Sequence, residues 1–151
     1  MERVIALEDQ TDRYQDALGT YLVKLSAANL SVEDNRTLNT LLYTISDLER
    51  IADHAVGIAE AALEISEKNI IFSQQAQQEL SVLDRAVLDV VERTVNAYVC
   101  NDLEQALTVE PQEQVVDALV REIKSRHVRR LRDGLCTVEY GFVLDDLLTT
   151  G

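Results

Sequence analysis

The sequence predicts an all-α protein, an antiparallel helical bundle, and three observations carry that prediction. The 151 residues include only 5 Gly and 1 Pro. That is too few breakers for the turn-rich connections of an all-β fold. Apolar residues recur at steps of three, four or seven, which is helical spacing. The periodic runs are also punctuated by residues that start and stop helices, namely Ser31, Ser73, Pro111 and Gly134.

Five helices follow in order. The first covers residues 3–28, with Val4, Leu7, Tyr14, Leu18, Tyr21 and Leu25 as its apolar positions. Ser31 starts the second, and Asp34 three residues on approximates a capping box. That helix extends to about residue 68. Its stripe is Leu38, Leu41, Ile45, Leu48, Ala52, Ala55, Ala59 and Ala62. The alanines permit close helix approach but leave less apolar area to bury. Ser73 caps the third helix, where Leu80, Leu83, Val87, Val91, Val95 and Tyr98 share a face. A break near Asn101 and Asp102 precedes a continuation to Val109.

Pro111 suits the first turn of a fourth helix, where its missing N–H costs nothing. Val116, Leu119, Ile123 and Leu131 line this helix, and Gly134 ends it as a left-handed cap. Lys124, Arg126, Arg129, Arg130 and Arg132 crowd its last turns. Cations suit a helix C-terminus and can pair with acidic neighbours. The fifth helix starts near Thr137 and carries Val138, Phe142, Leu144, Leu147 and Leu148. Its apolar period is still running at Gly151, so we expect a fragment of a longer protein. Residues 1–110 then form one complete three-helix unit and residues 111–151 the start of a second. Missing partner helices would leave apolar faces exposed, which favours a homo-oligomer, most simply a dimer.

Composition narrows the function classes. Apolar content is 46% and charged content 27%, as in a soluble globular domain. The net charge of −13 opposes non-specific binding to nucleic acid or an anionic membrane surface. No apolar run approaches the ~20 residues that cross a bilayer, so no direct membrane insertion is expected. Residues 1–20 hold no secretory signal. Cys100 and Cys136 form no C-x-x-C and no zinc pattern, and read as reduced cytosolic thiols.

The candidate chemistry lies in Asp47-Leu48-Glu49-Arg50-Ile51-Ala52-Asp53-His54-Ala55. Glu49 and Asp53 are four apart, so they share one helix face with about 5–6 Å between Cβ atoms. Glu60 lies two turns further along the same stripe. Like charges held this way either form a solvated acidic face or hold a cation. Hard oxygen donors suit Mg, Ca or Mn, or Fe where carboxylates are shared between metals. The spacing recurs at Glu8 and Asp12, and again at Glu113 and Asp117. If the first two helices pack antiparallel, Glu8 and Asp12 meet Glu49 and Asp53. The four would raise one another's pKa unless a cation intervened. His54 is either a further nitrogen ligand or a structural hydrogen-bond donor.

Catalysis has little support. There is no Gly-rich phosphate loop, no G-x-S-x-G and no H-E-x-x-H. A di-iron oxidase needs Glu three residues before His. Ile51 and Lys124 stand there instead. We expect no enzyme.

The stretch from Asp47 to Ala55 resembles the signature of the PhoU family of phosphate-uptake regulators, and Arg36 matches the Arg that opens the family's signature helix. Asp102, Ala106 and the Glu113/Asp117 pair resemble the passage from its first repeat to its second. The tail also carries a resemblance, through Arg130-Leu131-Arg132-Asp133-Gly134-Leu135-Cys136-Thr137, Glu139-Tyr140-Gly141-Phe142 and Asp145-Asp146-Leu147-Leu148-Thr149. It is similar to the PhoU-like C-terminal domain of bacterial sodium/phosphate cotransporters of the NptA type. The resemblance implies a fold of two three-helix repeats and a regulator rather than an enzyme. It implies iron, zinc or another divalent metal at Glu49 and Asp53, with Glu8 and Asp12 opposite and Glu113 and Asp117 lacking a partner helix. It also implies a transmembrane transporter portion as partner, and a place at the cytoplasmic face of the membrane. The alternative is a metal-free helical interaction module whose acidic face docks a basic partner surface.

Overall fold

A computed structural model describes residues 1–136 and, beyond them, Gly141, Val143, Leu144 and Leu148. The described residues form four long helices and no strand, in agreement with the all-α expectation. They are α1 (Glu2–Ser26), α2 (Val32–Glu67), α3 (Gln74–Cys100) and α4 (Leu103–Arg132). The chain divides into two compact units, residues 1–64 and residues 65–149.

The helix ends follow from local chemistry. At the start of α2, the Asp34 N–H donates to Ser31 Oγ at 3.1 Å and the Ser31 N–H donates to Asp34 Oδ2 at 3.3 Å. This is the reciprocal capping box. Ser73 Oγ accepts from the Ala76 N–H at the start of α3, and Asp102 Oδ1 accepts from the Gln105 N–H at the start of α4. Three helices stop in the same way. Asn69, Asn101 and Gly134 take positive φ after α2, α3 and α4. In each case the next residue's N–H reaches back to a carbonyl five residues earlier: Ile70 to Ile65, Asp102 to Ala97, and Leu135 to Arg130. This double-bonded left-handed stop satisfies carbonyls the helix leaves open.

Two expectations change. α4 starts at Leu103 and runs through Pro111, which therefore lies inside a helix rather than opening one. Asp102 explains this: its side chain caps a helix eight residues upstream of Pro111, and the gain from continuing outweighs one lost hydrogen bond. The fifth helix falls largely outside the described residues, which exclude Thr137, Val138, Phe142 and Leu147.

In the unit of residues 1–64, α1 and α2 form an antiparallel hairpin. Val4, Glu8, Thr11, Gln15, Gly19 and Leu22 turn inward on α1, where Leu22 is buried. The expected α1 stripe is instead exposed: Leu7, Tyr14, Leu18, Tyr21 and Leu25 are between 37% and 62% accessible. On α2, Leu38 is buried while Leu41 and Leu48 are exposed.

The second unit has a more conventional core. Leu83, Ile123, Leu144 and Leu148 pack together, flanked by Phe72, Leu80, Val87, Val116, Leu119 and Val120. The outer half of the predicted α3 face, Val91, Val95 and Tyr98, stays exposed.

Candidate functional site

The acidic residues of α1 and α2 come together as the antiparallel arrangement requires. Glu8 and Glu49 are half-buried on the facing sides of the hairpin, while Asp12 and Asp53 are exposed beside them. Burial pushes the Glu49 carboxyl above its ordinary value. Asp53, Asp12 and Glu8 push it the same way. Glu8 is likewise raised by burial first, then by Asp9, Asp53 and Asp12. The charges therefore reach one another across the hairpin as well as along each helix.

Among the described residues, no three Asp, Glu, His or Cys side chains already stand in metal-holding geometry. Asp12 and Asp53 are exposed to solvent, where repulsion between carboxylates is weakest. The donor set fits a hard cation. It offers oxygen alone, which suits iron, manganese or magnesium better than a Cys/His-rich structural zinc site. A bound cation would lie against Glu8 and Glu49 and draw in Asp12 and Asp53.

The remaining candidates are placed differently. His54 is exposed and stands about 140° round α2 from Glu49, given 3.6 residues per turn. Glu60 is exposed on the same side as Asp53, two turns further on. Glu113 and Asp117 are exposed on α4, in the second unit, where Asp117 pairs with Arg121 at 3.4 Å. Asp9 joins the group facing Glu8 and was not singled out by the spacing argument.

Sequence reasoning also missed a buried ion pair in the second unit. Arg130 Nη1 lies 2.8 Å from Glu79 Oε2, and both side chains are about nine-tenths buried. Arg126 approaches Glu79 at 3.5 Å and Glu122 at 2.7 Å. The basic end of α4 thus includes one guanidinium that is part of the core. Only its spacing of seven from Ile123 hinted at this.

The α1–α2 hairpin therefore gathers acidic side chains from both of its helices. Residues 1–62 match the PhoU domain family. The chain is 28% identical over 142 residues to the "Phosphate-specific transport system accessory protein PhoU homolog 1" of Thermotoga maritima, covering 93% of this chain and 60% of that protein. It is 29% identical over 125 residues to the "Phosphate-specific transport system accessory protein PhoU homolog" of Clostridium acetobutylicum, covering 81% and 55%. Over residues 1–62 the chain is thus similar to the PhoU domain family. The chain spans 55–60% of the length of these two curated relatives. No solved structure matches it. No described helix is long and apolar enough to cross a membrane.

Proposed function

We propose that this chain is a regulatory, non-enzymatic PhoU-type module for phosphate transport, whose α1–α2 hairpin binds a metal. The observation that carries the reading is the meeting of Glu8, Asp12, Glu49 and Asp53 across the hairpin, with Glu8 and Glu49 raised by burial and by their neighbours. A cation removes that repulsion and ties α1 to α2. Hairpin stability then depends on metal occupancy, which makes it usable as a signal. Carboxylate donors suit magnesium, calcium or manganese, or iron where carboxylates are shared between metals; iron, zinc or another divalent metal is what the family resemblance implies.

The names of the two relatives support a phosphate-transport accessory role. The sodium/phosphate cotransporter context rests on the resemblance of the tail. In that context the module sits at the cytoplasmic face of the membrane, beside the transmembrane portion of its parent chain, and assembles as a dimer.

Elemental analysis of the purified, untagged protein beside the Glu49→Ala/Asp53→Ala double variant tests the metal reading. Stoichiometric metal that disappears in the variant is the expected result. Equal metal content in both proteins would overturn the assignment of the site.

One observation favours a second reading, a metal-free module that docks a basic partner. The carboxylates are not preset in metal-holding geometry, and the chain carries a net charge of −13. Partner binding that falls with salt and ignores chelators would favour that reading.

A further inference from the structure

The α1–α2 hairpin has two unlike sides. On α1 the inward face runs from Val4 through Glu8 to Leu22. Gly19 marks a close approach to α2, since a Cβ there would lie 3.8 Å from Ile45 Cδ1. The exposed stripe of Leu7, Tyr14, Leu18, Tyr21 and Leu25 is centred about 85° round from this inward face, given 3.6 residues per turn. On α2 the inward face runs through Leu38, Leu42, Ile45, Glu49, Ala52 and Val56. A second exposed stripe holds Leu41, Leu48, Ile51 and Ile58, with the exposed Ala55 and Ala62 between and after them. It is centred about 100° round from the inward face, in the same sense along the chain. Because α2 runs opposite to α1, these two rotations bring both stripes out on the same side of the hairpin.

The acids lie elsewhere. Asp9, Asp12 and Asp16 of α1 and Asp53 and Glu60 of α2 are exposed on the opposite side, and Asp47 only borders the apolar one. Two helices share one seam and cannot cover a broad face that both of them present.

The area of that face says what covers it. Its nine large apolar side chains are each between 37% and 62% exposed. Together they leave about 800 Å² open, the share that one partner contributes to a standard protein interface. A twofold interface uses the same patch on both subunits, and none of these nine side chains carries a charge to repel its own copy. The acidic side is the reverse case, since a chain of net charge −13 repels a second copy there.

We infer that the apolar side of the α1–α2 hairpin binds the same side of a second copy, so that two hairpins close into a four-helix core. This rests on the dimer reading above and assigns its surface. The acidic side, with Asp12 and Asp53, faces away and stays open in the dimer.

Sedimentation velocity of the full chain, from micromolar to near-millimolar concentration, tests the inference. The wild type should dimerise. Leu48→Glu on α2 and Tyr14→Glu on α1 should each weaken dimerisation by about tenfold or more, because a charge is forced into the centre of the interface. The two positions lie on different helices and are 51% and 60% exposed, so each variant checks the other if one fails to fold. Val23→Glu, at a 61% exposed position on the acidic side of α1, should leave dimerisation unchanged. Val95→Glu, in the exposed stripe of α3, should also leave it unchanged. A monomer at every concentration would overturn the dimer and the surface together. A dimer that survives both Leu48→Glu and Tyr14→Glu, or one lost only in Val95→Glu, would overturn the surface and leave the dimer standing.

Discussion

At the scale of residues, the decisive pair is Glu8 and Glu49. Both carboxyls lie above their ordinary value of 4.5 because of partial burial and acidic neighbours. Just above pH 4.5 the folded hairpin therefore binds more protons than the unfolded chain, and stability must rise as pH falls through that window. Urea midpoints should climb from pH 7 toward pH 5 in metal-free protein. Glu49→Gln should raise the pH 7 midpoint and flatten the slope. A slope unchanged by that substitution would mean the two helices do not share their charge. The convergence was legible in the sequence, since two Glu-x-x-x-Asp pairs on antiparallel neighbours have to meet. Asp9 adds to the same effect simply as the next residue after Glu8 in the chain.

At the scale of elements, the caps were readable and the helix lengths less so. Ser31 with Asp34, Ser73 and Gly134 all do what their chemistry predicts. Asn69 and Asn101 take left-handed stops in place of glycine, which Asn tolerates better than other residues with a Cβ. Pro111 is the departure, because a proline signals a helix start only where no stronger cap precedes it. As an interior residue it costs one backbone hydrogen bond and crowds the preceding turn. Pro111→Ala should therefore stabilise the protein by up to about 3 kcal/mol, seen as a higher urea midpoint. A loss of stability would mean that Pro111 opens a helix after all.

At the scale of the whole molecule, the apolar surface matters most. Leu7, Tyr14, Leu18, Tyr21 and Leu25 form one continuous exposed stripe along α1. An exposed stripe of this kind favours association. Sedimentation from micromolar to near-millimolar concentration should show a dimer, and Leu18→Glu should shift it to monomer. A monomeric profile throughout would overturn the dimer.

The sequence by itself determined the helical class, the caps and the acidic pairs, because all three depend on neighbours within about one helical turn. The tertiary structure decided which side of each helix turns inward. On α1 the apolar stripe and the inward face differ, since the hairpin buries Leu22, half-buries Val4 and Glu8, and leaves Tyr14 and Tyr21 outside. It also decided that Arg130 is paired inside the core with Glu79, 51 residues away, and that Cys136 stands beside His127. Such contacts depend on how α3 and α4 pack, and no local pattern encodes that.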